Sequence, residues 1–205
     1  MDQTESKTAS QVQTLISQGV VLRQQGDLLG AIANYRQASD LPNAPAEAHF
    51  NLGNALFATG DWAGARACMA KALALEPGMV SALMLMARCT QRLGEPESAQ
   101  EAFEAVLKVA PDHFSAWLEL GHVCRSLGQT SQMLAAYQRA ATVAPERWEA
   151  VASLLRAQEE AGQWEAAARS YHRAVLLVGQ AAAQTASQAD GQPSEQGAKA
   201  MTTAS

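Results

Sequence analysis

Glycine recurs at Gly26, Gly60, Gly94, Gly128 and Gly162, and every step is 34 residues with no insertion. A fixed period held over five copies means that the chain is assembled from one repeated supersecondary unit. The residue after each glycine is Asp27, Asp61, Glu95, Gln129 and Gln163, so the polar chemistry of the turn recurs too. A glycine just past a helix end supplies the left-handed backbone that stops the helix. A short polar residue beside it starts the next helix. The ladder therefore predicts the same helix–turn–helix corner five times.

Blocks of 34 residues tile the chain as 12–45, 46–79, 80–113, 114–147 and 148–181. The addresses within a block have packing reasons. Position 20 holds Ala31, Ala65, Ala99, Met133 and Ala167, and position 27 holds Ala38, Ala72, Val106, Ala140 and Ala174. Small side chains there let two helices approach closely. Position 24 carries Tyr35, Met69, Phe103, Tyr137 and Tyr171, large groups expected to fill the space between neighbouring repeats. Position 8 is Gly19, Gly53, Ala87, Gly121 and Leu155, and Pro77, Pro111 and Pro145 at position 32 cannot continue a helix. First helices are expected over 12–25, 46–59, 80–93, 114–127 and 148–161. Second helices are expected over 29–42, 63–76, 97–110, 131–144 and 165–178.

The block AEAHFNLGNALFATGDWAGARACMAKALALEPGM, residues 46–79, closely resembles a tetratricopeptide repeat, with its Leu-Gly pair, small residues at 20 and 27, large residue at 24 and proline at 32. The resemblance covers about four fifths of the chain. It implies an all-α, right-handed superhelical α-solenoid of five repeats, with the first helices lining a concave groove. The end blocks depart from the pattern: Asn43 replaces the proline of block one, and Leu155 and Gly179 are atypical in block five. Terminal solenoid repeats lack one neighbour, which accounts for such departures. No polar capping helix is evident after Gly179, so self-association through the C-terminal repeat is one expectation.

The flanks read differently. Residues 1–11 are polar and expected to be disordered. Residues 182–205, AAQTASQADGQPSEQGAKAMTTAS, carry almost no large apolar group and cannot bury enough surface to offset ordering entropy. The last helix is expected to run through the alanines to about Ser187, with disorder beyond. The chain is 48% hydrophobic and 17% charged with a net charge of −5, which disfavours a nucleic-acid surface. There is no signal-peptide pattern and no apolar run long enough for membrane insertion, so the expected location is cytoplasmic. Cys68, Cys89 and Cys124 show no metal or disulfide spacing and read as small buried residues.

Positions 2, 5, 9, 12 and 13 of the first helices share one stripe through their three- and four-residue spacing. An apolar floor of Phe50, Phe57, Met84 and Leu118 lies on it, with Asn54 beside it. A basic ridge of Arg88, Arg92, His122, Arg125 and Arg156 runs along repeats three to five. Arginine suits carboxylates through paired donors, and exposed apolar groups mark binding sites. The stripe is thus the candidate groove for an extended or helical protein segment with acidic groups. The alternative is that these cations pair with Glu119, Glu159 and Glu160 or face solvent. Two ligand codes of the family are mostly missing. Of the carboxylate-clamp positions of heat-shock co-chaperones only Asn54 fits, and of the asparagine ladder of O-linked N-acetylglucosamine transferases only Asn51 is present.

Catalytic chemistry is not apparent. His49, His113, His122 and His172 are scattered without metal spacing, and no nucleophile elbow or phosphate loop occurs. Trp62 and Trp164 are expected to pack the corner between helices, Trp117 holds the standard position 4, and Trp148 is expected to be partly exposed. No cofactor or metal is expected. The resulting reading is a non-catalytic scaffold or adaptor for a protein partner. Its alternatives are a substrate-recruiting or regulatory subunit of a separate enzyme, such as a transferase, and, more weakly, a nucleic-acid-binding repeat.

Overall fold

The structure, a computed structural model, describes residues 3–190. Ten helices follow one another: α1 Gln3–Gln24, α2 Leu28–Asp40, α3 Ala46–Ala58, α4 Trp62–Leu75, α5 Val80–Arg92, α6 Pro96–Val109, α7 Phe114–Ser126, α8 Thr130–Val143, α9 Trp148–Glu160 and α10 Trp164–Asp190. The chain divides into two compact units, Met1–Ala136 and Tyr137–Ser205.

The periodic glycines turn the chain where expected. Gly26, Gly60, Gly94, Gly128 and Gly162 all have positive φ, from 69° to 87°. The residue after each glycine then donates its N–H to the carbonyl five residues back, as Asp61 does to Leu56 at 3.0 Å. Asp27 and Asp61 cap α2 and α4, their Oδ1 atoms accepting from Gly30 N at 2.8 Å and Gly64 N at 2.9 Å. Glu95 is too long for that role and makes no cap bond; its Oε2 instead accepts from Arg66 Nη1 of α4 at 2.6 Å. Helices α4, α6 and α8 each stop two residues before Pro77, Pro111 or Pro145, as a residue without an N–H requires. Asn43, which replaces that proline after α2, sits in the left-handed region at φ 57°, a conformation asparagine tolerates best after glycine.

Unit one is built from adjacent antiparallel helices. Its larger core joins α2 to α5 through Ala31, Tyr35, Leu52, Ala65, Met69 and Leu85. A smaller cluster, Val12, Ile16, Ala38 and Ala48, ties α1 to α2 and α3. The small residues at position 8 are needed for contact. A Cβ on Gly19 would enter the Tyr35 ring, and one on Gly53 would enter Met69 and Cys68. Cys68, Cys89 and Cys124 are buried free thiols. Burial pushes all three above the ordinary thiol value, and Cys89 to about 11.

Unit two packs α9 against α10 through Val151, Leu154 and Ala157 on one side and Ala167 on the other. A buried hydrogen bond from Ser170 Oγ to Gln158 Oε1, 2.7 Å long, crosses between them. Arg173 Nη2 donates to Ala141 O at 3.2 Å and Pro145 O at 3.0 Å.

Several expectations are corrected. Residues 3–11 are helical, not disordered, because α1 begins at Gln3, well before the repeat frame at 12. The turn Val12–Ile16 anchors this helix in a core, and the polar residues ahead of it contain no glycine or proline to stop it. At the other end α10 runs through its alanines, as expected, but ends at Asp190 and not at about Ser187. The expected tail disorder over 191–205 lies outside the described residues. Tyr171 and Trp164 do not pack as interior groups; both are exposed, because no helix follows α10 among the described residues. Trp148 is exposed in part, as expected.

Candidate functional site

Three helices of unit one, α3, α5 and α7, carry the candidate site. Phe50, Asn54 and Phe57 lie on one face of α3 through their four- and three-residue spacing, as do Ser81, Met84 and Arg88 on α5. They open onto a cleft of about 380 Å³ lined by Phe50, Asn54, Met84, Leu85, Arg88 and Glu119, together with Ser81, His113 and Ser115. The phenyl and thioether groups are half-buried, so the floor is apolar but reachable from solvent.

The polar groups of the cleft are in different states. Glu119 is held by two neighbours: Gln91 Nε2 donates to its Oε2 at 3.2 Å, and His122 Nδ1 lies 3.5 Å from the same oxygen. The His122 contact does most to hold the Glu119 carboxyl below its ordinary value; burial opposes this, and the Gln91 bond and the Arg88 charge assist it. Arg88 is different. Its guanidinium carbon stands 5.0 Å from the Phe57 ring centroid in cation–π contact, and the side chain is exposed. A cation–π contact needs none of the guanidinium N–H donors in a hydrogen bond, so they remain available for an acceptor. No ion pair to Arg88 occurs among the described residues. His113 caps α7, with Nδ1 accepting from Ala116 N at 3.2 Å, which orients its ring where it lines the cleft.

The expected groove residues are thus only partly brought together. Phe50, Asn54, Met84 and Arg88 line the cleft, and Phe57 supports Arg88 from beneath. Leu118 and His122 sit on α7 beside Glu119 without lining the cleft. Arg92 ends α5 and is exposed; Arg125 ends α7 and is half-buried. Arg156 is exposed on α9 in unit two and is a separate feature there. Leu85, Glu119 and His113 were missing from the expected set. Leu85 and Glu119 share position 6, one residue after the position-5 floor, and a wider stripe would have included them. His113 precedes its helix and gives no helical-periodicity signal. A second depression, about 450 Å³ at Ser17, Gln18, Val21, Leu22 and Asn34, contains no charged side chain.

No group of His, Cys, Asp and Glu that could hold a metal occurs among the described residues. No helix among them is long and apolar enough to cross a membrane.

Comparison with known proteins agrees with this architecture. A family model described as TPR repeat matches residues 19–60, and models described as tetratricopeptide repeat match 46–79 and 84–132. A crystal structure of MamA aligns with a TM-score of 0.75 at 23% identity, covering 80% of this chain and 96% of that one. The structure of MamA 41-end from Desulfovibrio magneticus RS-1 aligns with a TM-score of 0.75 at 20% identity, covering 82% and 94%. These likenesses show a shared all-α, solenoid-type repeat fold. No curated protein matches the sequence.

Proposed function

The chain belongs to the tetratricopeptide repeat family, and on that premise we propose that it is a non-catalytic interaction scaffold whose α3–α5–α7 cleft holds a segment of a protein partner. The observation that carries this reading is the pairing of an open apolar floor with a stacked, unpaired guanidinium. Phe50, Met84 and Leu85 offer a site for an apolar side chain. The Asn54 amide can donate to and accept from an extended backbone. Arg88 offers a bidentate site for a carboxylate, already oriented by Phe57. Glu119 is satisfied internally and its charge opposes a second acid close by, so the preferred segment carries one carboxylate next to an apolar group and not an acidic run.

A displayed library of random peptides tests the reading. The full chain is expected to enrich sequences with a carboxylate beside a large apolar residue. Arg88→Glu should weaken their binding at least about tenfold, as loss of a charge-assisted pair plus like-charge repulsion requires. Failure to enrich any such sequence, or equal binding by Arg88→Glu and by Met84→Lys with helical content unchanged, would overturn the proposal.

A further inference from the structure

The last helix presents an apolar seam that the cleft does not use. On α10, Trp164, Tyr171, Val175 and Val178 are 69%, 62%, 51% and 57% exposed. With the exposed Ala168 they lie at successive spacings of four, three, four and three residues. That alternation is the heptad seam of a coiled coil, and an isolated surface helix has no reason to keep it. A neighbouring line of α10 is already committed: Ala167 and Ser170 are buried, and Ser170 bonds to Gln158 of α9. No seam position is charged over these 15 residues.

We propose that the occupant of this seam is a second copy of the same chain, packed antiparallel α10 to α10 about a two-fold axis near Ala168–Tyr171. Three features select that partner and that direction. In an antiparallel two-helix seam, each Ala168 faces the partner's Tyr171, and each Trp164 faces the partner's Val175. Large groups therefore meet smaller ones in the four layers from Trp164 to Val175, as interdigitated packing requires, and Val178 lies beyond them. In a parallel pair, tryptophan would meet tryptophan and alanine would meet alanine, giving alternate clashes and gaps. The flanking polar groups also match: in the same register the exposed carboxylate of Glu165 lies near the exposed His172 imidazole of the other copy, which can donate a hydrogen bond to it. Because the seam is self-complementary, one patch satisfies both subunits, which is the isologous pattern of the commonest dimers.

The size of the seam sets the strength. Two aromatic side chains, Ala168 and Val175, already partly covered, bury on the order of 400 Å² per subunit, below the roughly 800 Å² of a standard interface. The dimer is accordingly weak and reversible, with dissociation expected on the order of micromolar. It requires nothing of the α3–α5–α7 cleft, and two such clefts in one dimer would bind a bivalent partner more tightly than either alone.

Sedimentation velocity of the full chain, over about 1 to 200 μM, is expected to show a concentration-dependent monomer–dimer equilibrium. Tyr171→Glu with Val175→Glu should weaken it about a hundredfold or more, because each buried charge lacks a partner. Circular dichroism checks that the helices persist. Direction is read by cysteine cross-linking on the exposed positions. A mixture of Trp164→Cys and Val175→Cys chains should form a disulfide dimer under mild oxidation, while neither variant alone should. A monomer at every concentration, a dimer untouched by the two glutamates, or efficient cross-linking of Val175→Cys with itself would each overturn the proposal.

Discussion

Tyr35 and Tyr171 hold the same repeat address four periods apart, yet one is fully buried and the other is mostly in water. Tyr35, like Met69 and Phe103 at the same address, is covered because the next helix pair packs on its helix. Tyr171 has no successor among the described residues. The repeat unit thus covers only one side of its large residue, Tyr35 against Gly19 or Met69 against Gly53, and the following repeat covers the other. In a stack of this kind, burial is a property of neighbours, and the value of one side chain depends on which side of the last interface it stands.

Paired substitutions at that address give the largest contrast. Phe103→Ala should cost about 3–5 kcal/mol of unfolding free energy, from lost burial and the cavity left behind. Tyr171→Ala should change it by no more than about 0.5 kcal/mol at dilute concentration, since an exposed group loses little. Urea unfolding followed by circular dichroism measures both. A comparable cost at the two sites would break the comparison and show that the Tyr171 face is covered in the folded monomer.

Glycine provides a second contrast of smaller size. Gly53→Ala places a methyl against Met69 and Cys68 and should destabilise by about 1–3 kcal/mol through overpacking. Gly179 lies in α10 with open space around the Cβ position, so Gly179→Ala should stabilise by about 0.5–1 kcal/mol through helix propensity. The opposite signs are readable in the midpoint of the same unfolding experiment. If Gly179→Ala destabilised the protein, a close backbone contact at that position would be implied.

The smallest expected effect is a pH dependence confined to unit one. The folded Glu119 carboxyl titrates below its ordinary value of 4.5, chiefly through the His122 contact. A depressed carboxylate contributes stability that is fully present above its unfolded value and lost as pH falls through the folded one. Glu119→Gln should therefore flatten the stability profile below about pH 4.5 and leave the profile above it nearly parallel to that of the parent chain. An unchanged acid limb would show that the Glu119–His122 contact contributes nothing in solution.

Much of the fold was legible in the primary structure, and the reason is periodicity. Five glycines in a 34-residue frame assign an address to every residue between them, and the helix bounds inside the frame follow to within two residues. Outside the frame the end of α10 was legible to within three residues, and the start of α1 was not. α1 reaches back to Gln3 and α10 forward to Asp190 because nothing in those polar and alanine-rich segments breaks a helix once a packed helix can propagate into them. The site was half legible. Spacing put Phe50, Asn54, Met84 and Arg88 on one stripe, but it could not separate Arg88, stacked on Phe57 and open, from His122, engaged by Glu119.

Sequence alone determined the repeat, its turns and which residue types occupy each address, since these depend on local backbone chemistry that recurs with the period. Tertiary structure decided which addresses are interior. It set Tyr35 inside and Tyr171 outside, left the Arg88 donors free while satisfying Glu119, and exposed the α10 seam. Those outcomes depend on which helix comes next in space, and a residue's own neighbours along the chain carry no record of that.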